Sequence, residues 1–413
     1  HHKIKKGDPE AALKKSKHVI EGQFEIGGQE HFYFETQNCI AEPIEGGRIK
    51  VISSTQAPTT GQVQIARCNG LKMSDVEVEV LRLGGGFGGK ETQGAIPTNM
   101  ASVAALKVKR PVKLQLDRQN DFQYTGKRHP FIMKYKAGFD DNGKLDAVIS
   151  HIYAGCGWSV DISIAVTDRA LFHTDGAYFC PNFYTECHMC KTNLPSSTAF
   201  RGFGGPQGSF MADEIINRIA HVLGKQPEEV MRLNLYKEGD KTHFNNPLDD
   251  NKLADCLEYI DKNFDIKKQR KIAEEFNRNN RYKKLGVGVA PLKFGISFTF
   301  GALNQAGALV NIYKDGSVRI SHGGTEMGQG LNTKLLQVVS STLRVPIETV
   351  TMSHTSTATV PNTSPTAASS GTDLNGWALY NACVELNKRL DKYRTPDRTF
   401  QQAVMAAYID KVD

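Results

Sequence analysis

Gly84-Gly85-Gly86-Phe87-Gly88-Gly89-Lys90-Glu91 follows the alternating apolar run 76–83 and precedes a helical pattern that extends to Val108. A strand that delivers a glycine-rich turn into a helix start is a unit of α/β and α+β folds, and it leaves N–H groups unpaired at the positive end of the helix dipole. The turn satisfies G-x-G-x-x-G, but one such match is not specific. It also approaches a phosphate loop, with Gly84, Gly89 and Lys90 in register, yet Glu91 stands where a magnesium-binding Ser or Thr belongs. A carboxylate there repels phosphate. A dinucleotide fold would need one fingerprint and an acid about 20 residues on, and Asp117 comes later than that.

Three further loops share this build: Arg201-Gly202-Phe203-Gly204-Gly205-Pro206-Gln207-Gly208, Gly323-Gly324-Thr325-Glu326-Met327-Gly328-Gln329-Gly330, and 364–376, rich in Ala, Ser, Thr and Gly. Each is expected to open a helix. Glycine lets backbone approach a bulky ligand, so four such loops point to one large anionic cofactor. Strands at 76–83 and 112–116, a helix at 207–223, and hairpins turning at Asn142-Gly143 and Asp315-Gly316 surround them. The fold class expected is α+β with α/β-like alternation. Residues 1–22, charged and helical in character, read as the tail of a preceding domain. A first domain then covers 23–260, a helical connection 261–284, and a second, incomplete domain 285–413. Both ends read as cut, because the chain starts at His1 and stops inside the amphipathic pattern 400–412.

With 413 residues there is room for two or three domains. A hydrophobic share of 39% and a charged share of 23% are those of a soluble protein, and no apolar stretch is long enough to cross a membrane. The net charge of +7 is dispersed. Its two basic runs, 3–17 and 267–271, lack interleaved aromatics, so solvated helix faces are expected and not nucleic-acid binding. Eight irregularly spaced cysteines and no signal peptide point to a reducing, cytoplasmic compartment, with a peroxisomal one open. Cys187-His188-Met189-Cys190 is a single CxxC, which would hold structural zinc only by recruiting Cys180 and His188; buried or idle thiols are expected instead.

Gly27-Gly28-Gln29-Glu30-His31-Phe32-Tyr33 and the segments 84–91, 200–208, 293–298, 323–330 and 361–368 occur in the order and spacing of the xanthine dehydrogenase and aldehyde oxidase family. The resemblance covers almost the whole chain. It implies two molybdopterin-binding domains with the cofactor between them, and hydroxylation of a purine (hypoxanthine to xanthine to urate) with water as the oxygen source. Gln56 matches the glutamine that bonds an oxygen on molybdenum, and the Phe87 N–H a neighbouring donor. Gly86, Gly88, Arg201, Gln329, Ala367, Ala368 and Ser369 match cofactor contacts. Of these residues, Gln56, Phe87, Arg201 and Ala368 would surround molybdenum with no direct protein ligand. Phe203 and Phe298 match the aromatics that sandwich the purine, with Thr299 beside them.

Glu91 and Arg169 match the pair that separates purine from aldehyde enzymes. A carboxylate can share a proton with a ring nitrogen, and a guanidinium stabilises negative charge developing on the heterocycle. The bland alternative for Arg169 is a surface ion pair with Asp168 or Asp175. The family's general base is a glutamate in a Gly-Glu-Pro loop, and none of the 413 residues forms one. Glu91 therefore reads as a binding residue, and the chain alone is expected to be inactive. The 2Fe-2S clusters and FAD, with NAD as acceptor, are expected elsewhere in a longer, homodimeric protein. Competing readings are an aldehyde oxidase of the same fold, a nucleotide-binding domain built on 84–89, and a non-catalytic remnant.

Overall fold

Alternation of period two builds the first sheet. In Phe131–Phe139 the side chains of Phe131, Met133, Tyr135 and Ala137 are buried, whereas Ile132, Lys134 and Lys136 face out. The computed structural model describes residues 2–412, in two compact units. The first unit takes the residues up to Gln29, His129–Leu194 and Gly202–Gly295; the second takes Glu30–Arg128, Pro195–Arg201 and the chain from Ile296 on. The α+β expectation holds. The compact units interleave in sequence.

In the first unit five strands lie in the order His2–Lys6, Asn182–Lys191, Leu145–Gly157, Phe131–Phe139, His18–Ile26. One face packs on the helix Gly205–Leu223, whose Met211, Ile215, Ile216 and Ile219 form an apolar stripe at helical spacing. The expectation of a helical tail at the start is corrected here. His2–Lys6 pairs with Asn182–Lys191, and His18–Ile26 pairs with Phe131–Phe139; only Pro9–Lys15 is helical. The charges on the outward face of His18–Ile26 disguised a strand. The helical stretch expected over 261–284 is two helices, Leu253–Phe264 and Ile266–Asn279, broken at Asp265.

The second unit holds a sheet ordered Thr355–Ser356, Val76–Val80, Arg48–Ser53, Asn38–Ile44, Val112–Gln115. Arg48–Ser53 and Val76–Val80 are parallel and joined through the helix Pro58–Asn69, whose Ile65 packs with Ala101 and Ala105 of Ala95–Val108 over Val51 and Val78. A three-stranded sheet of Ala308–Ile312, Val318–His322 and Val350–Met352 packs on the helices Leu331–Leu343 and Gly371–Leu390. All four glycine-rich loops lead into helices, as expected.

No disulfide occurs among the described residues. Cys187 turns into the core and Cys190, three residues on, faces the other side of its strand, so the two cannot share an ion. Burial pushes the Cys187 thiol up and the Cys180 thiol to about 12. No helix among the described residues is long and apolar enough to cross a membrane.

Candidate functional site

Gln56 ties the loops of the second unit together. Its carboxamide is buried. Oε1 accepts from Gly88 N at 2.9 Å and Lys90 N at 3.4 Å, and Nε2 donates to the Thr366 carbonyl at 3.1 Å. An amide carries two hydrogens, so one remains on Nε2 to offer a ligand. A Cβ on Gly86 would lie 2.6 Å from Oε1, and only glycine lets the loop rest on the carboxamide. The ring of bonds continues from Leu83 N to Glu326 O, Thr325 N to Thr366 Oγ1, Ser297 N to Ala368 O, and Arg201 N to Phe87 O.

Around this ring Phe87, Ser297, Ala368 and Ser369 hold φ of 55, 70, 57 and 57°. A left-handed conformation costs a non-glycine residue about 1–2 kcal/mol and persists where surrounding structure enforces it, which is characteristic of ligand sites. The Phe87 carbonyl is taken by Arg201, while its N–H makes no hydrogen bond among the described residues. Ala367 and Ala368 are half-buried, and Ser369 and the Arg201 side chain are exposed. Glu91 is buried on the turn that leaves Gly88.

Lys90, which a phosphate loop would aim at its ligand, is fully buried instead. Its Nζ donates to Glu35 at 3.0 Å and Ser54 at 2.6 Å and lies 4.8 Å over the Tyr33 ring, and burial lowers its pKa. The lysine braces the loop from behind, and the nucleotide-binding reading fails on this geometry. The 323–330 loop is also held from within. Burial tends to raise the Glu326 carboxyl, but the N–H groups of Asn332, Gly328 and Gly330 bond it and hold it below the usual range. The exposed Gln329 accepts from Met327 N at 2.7 Å and donates to Thr325 O at 3.0 Å, leaving it one amide hydrogen for a ligand. Phe298 is half-buried beside an exposed Thr299, and Asn304 pins its backbone by accepting from its N and donating to its O, both at 2.9 Å.

In the first unit Arg169 lies on the helix Ser163–Leu171, 6% exposed, donates to the Gly295 carbonyl and sits 5.6 Å over the Phe294 ring. Burial lowers its pKa. The two acids weighed as surface partners are engaged elsewhere: Asp168 pairs with His2, and Asp175 with Lys293, His243 and Tyr236. Burial alone would raise the Asp175 carboxyl, but His243 and Lys293 outweigh it and hold it at about 2. Phe203 has φ 53° and precedes Gly204, whose loop rests on the Arg169 helix.

Sequence reasoning missed three positioning groups. His173 Nδ1 lies 2.7 Å from Arg169 O, its Nε2 meets Gly295 N at 3.4 Å, and its ring packs on Phe294 at 5.1 Å. Burial lowers its pKa to about 4, so it is neutral near pH 7. It lies in the turn just past the helix Ser163–Leu171, and no periodicity marked it. Asn304 and Glu35 carried no signal either.

Residues 1–235 and 259–412 match the family described as the molybdopterin cofactor-binding domain. The chain is 48% identical over 413 residues to a xanthine dehydrogenase of Emericella nidulans, covering 99% of this chain and 30% of the relative. It is 46% identical to a xanthine dehydrogenase/oxidase of Felis catus, covering 99% and 31%. It thus spans about 30% of the length of the curated relatives it matches. An aldehyde oxidoreductase from Desulfovibrio desulfuricans superposes with a TM-score of 0.86 at 26% identity, over 99% of this chain and 45% of that one. A quinoline 2-oxidoreductase from Pseudomonas putida shares the fold, with a TM-score of 0.87 at 20% identity over 99% and 57%.

Proposed function

The chain belongs to the molybdopterin cofactor-binding domain family, and from that premise we propose that the protein it forms part of is a molybdenum-dependent oxidoreductase that hydroxylates hypoxanthine and xanthine with water as the oxygen source. The residues of the second unit fit such a cofactor. The remaining amide hydrogen of Gln56 and the Phe87 N–H are donors for electronegative groups on molybdenum, with Arg201 and Ala368 nearby in the same bonded ring. The glycines of 84–89 leave room for a wide ligand. Ala367, Ala368 and Ser369 lead into the first turn of Gly371–Leu390, whose N–H groups would donate to the cofactor on the side away from the exposed Asp373. When bound, the group supplies the two-electron redox chemistry and oxygen transfer.

The chain supplies binding and charge. Glu91 shares a proton with a purine ring nitrogen, Arg169 stabilises negative charge on the heterocycle, and Phe203 and Phe298 offer aromatic faces, with Thr299 beside Phe298. Glu326, held by three N–H groups, is unsuited to be the base. We assign the 2Fe-2S clusters, FAD and NAD to parts of the protein outside this chain, and a homodimer and a cytoplasmic location to the whole.

The observation that carries the purine reading is the burial of two ionisable side chains, Glu91 and Arg169, where an aldehyde enzyme of this family is expected to be apolar. Steady-state kinetics of the intact protein test it. Urate formation from xanthine is expected; turnover of aldehydes alone would favour the aldehyde oxidase reading, and absence of molybdenum from the purified protein would overturn both.

A further inference from the structure

His151, Glu186 and His188 each bring one ligand atom to within 4.8 Å of the others on the outer face of the first unit's sheet. Strand register builds the cluster. Leu145–Gly157 and Asn182–Lys191 run parallel with His151 directly across from Glu186, and His188, two residues on, lies on the same face. Between them Ser150, Ile152, Thr185 and Cys187 are buried on the opposite face, so a slip of one residue would expose the core and turn the histidines inward. Glu186 Oε1 lies 2.7 Å from His151 Nδ1 and 3.0 Å from His188 Nε2, and Tyr184 Oη donates to Oε2 at 2.6 Å. Tyr153 stacks on the His188 ring at 5.1 Å.

We propose that His151, Glu186 and His188 bind a divalent transition-metal ion of the zinc type, at a site separate from the cofactor loops. Two imidazoles and one carboxylate are the donor set of zinc sites that keep an open fourth position. With bonds of about 2.0–2.2 Å, tetrahedral ligands lie about 3.3–3.5 Å apart, so Glu186 Oε1, at 2.7 and 3.0 Å from the two imidazole nitrogens, needs to move away from them by less than about 1 Å. Side-chain exposures of 41%, 15% and 33% give the ion a way in and leave the fourth position to water. Tyr184 is the outer partner that orients the carboxylate. Lys3, exposed on the neighbouring strand directly across from Glu186, opposes a cation and keeps the affinity moderate. Cys187 turns into the core between Glu186 and His188 and takes no part in the site.

The test is titration of the intact protein, first dialysed against a chelator, with Zn2+ by calorimetry and with Co2+ by absorption. One equivalent beyond the resident metals is expected to bind in the micromolar range. Tyr184→Phe should lower that affinity by about 10-fold to 100-fold, and His151→Ala and His188→Ala by at least as much. Lys3→Ala should raise it, which keeps the proposal testable if a histidine variant folds poorly. An unchanged stoichiometry and Kd in the His151→Ala, His188→Ala double variant, no response to Lys3→Ala, or no binding at millimolar Zn2+ would each overturn the assignment.

Discussion

The Gly88 N–H and the Gln56 Oε1 meet at 2.9 Å across 32 residues of chain. The same carboxamide reaches Thr366, 310 residues away. One side chain therefore sets the separation of two cofactor loops, and its loss leaves buried N–H groups unsatisfied.

Gln56→Ala is expected to weaken cofactor retention. Orphaning a buried donor costs about 1–3 kcal/mol, or roughly 5-fold to 150-fold in affinity. Gln56→Glu keeps the acceptor but loses the donor to Thr366, and should fall between. Molybdenum per chain in the intact protein checks this; a wild-type content in Gln56→Ala would separate Gln56 from the cofactor.

Glu91→Val with Arg169→Met should lower kcat/KM for xanthine by about 10-fold to 100-fold, the equivalent of one charge-assisted hydrogen bond, and favour aldehydes. Molybdenum content should stay at the wild-type level, because the Gln56 carboxamide is held by Gly88, Lys90 and Thr366. Unchanged xanthine kinetics in the double variant would refute the substrate assignment.

The local parts of this structure were legible and the long-range parts were not. Asn142-Gly143 announced its hairpin, and Met211, Ile215 and Ile219 their helix, because turn chemistry and periodicity act over a few residues. Glycine marked the cofactor loops, but Phe87, Ala368 and Ser369 hold positive φ with no glycine to signal it. Glu91 argued against a phosphate-binding Lys90, but the partner that Lys90 has instead, Glu35, could not be read because it lies 55 residues away. The joining of 30–128 with the chain from 296 on has no sequence mark at all, because it depends on contacts between distant segments.

Acid should destabilise the protein well above the carboxylate range. Burial holds His31, His173 and His322 at about 4 against the ordinary 6.5. Between these values the unfolded chain binds protons that the folded chain refuses, so stability falls as pH drops from 6.5 towards 4. Asp175 works in a lower window. Its carboxyl at about 2 lies below the usual 3.8, so its contribution is complete above 3.8 and lost as pH falls towards 2. Apparent melting temperature against pH should decline from about 6.5 downward; a flat profile until about pH 4 would show that these histidines are accessible.

Gly204→Ala should be more harmful than its position at the start of a helix suggests. The residue has φ 91°, and a Cβ there would lie 2.1 Å from the Val166 carbonyl and 3.0 Å from Ala170 N, on the helix that carries Arg169. Both obstacles are backbone, which cannot swing aside. Gly224 at the other end of the same helix is the control: it has φ 63° but nothing within 4 Å of its Cβ. Gly224→Ala should cost only the left-handed strain, about 1–2 kcal/mol. Gly204→Ala adds a clash that must push the Phe203 loop away from the Arg169 helix, and a loss above about 3 kcal/mol is expected. Melting of the two variants side by side gives the comparison, and KM for xanthine should rise in Gly204→Ala alone because Phe203 and Arg169 move apart. Equal destabilisation of the two would mean that the loop tolerates displacement and that its close approach does not position Phe203.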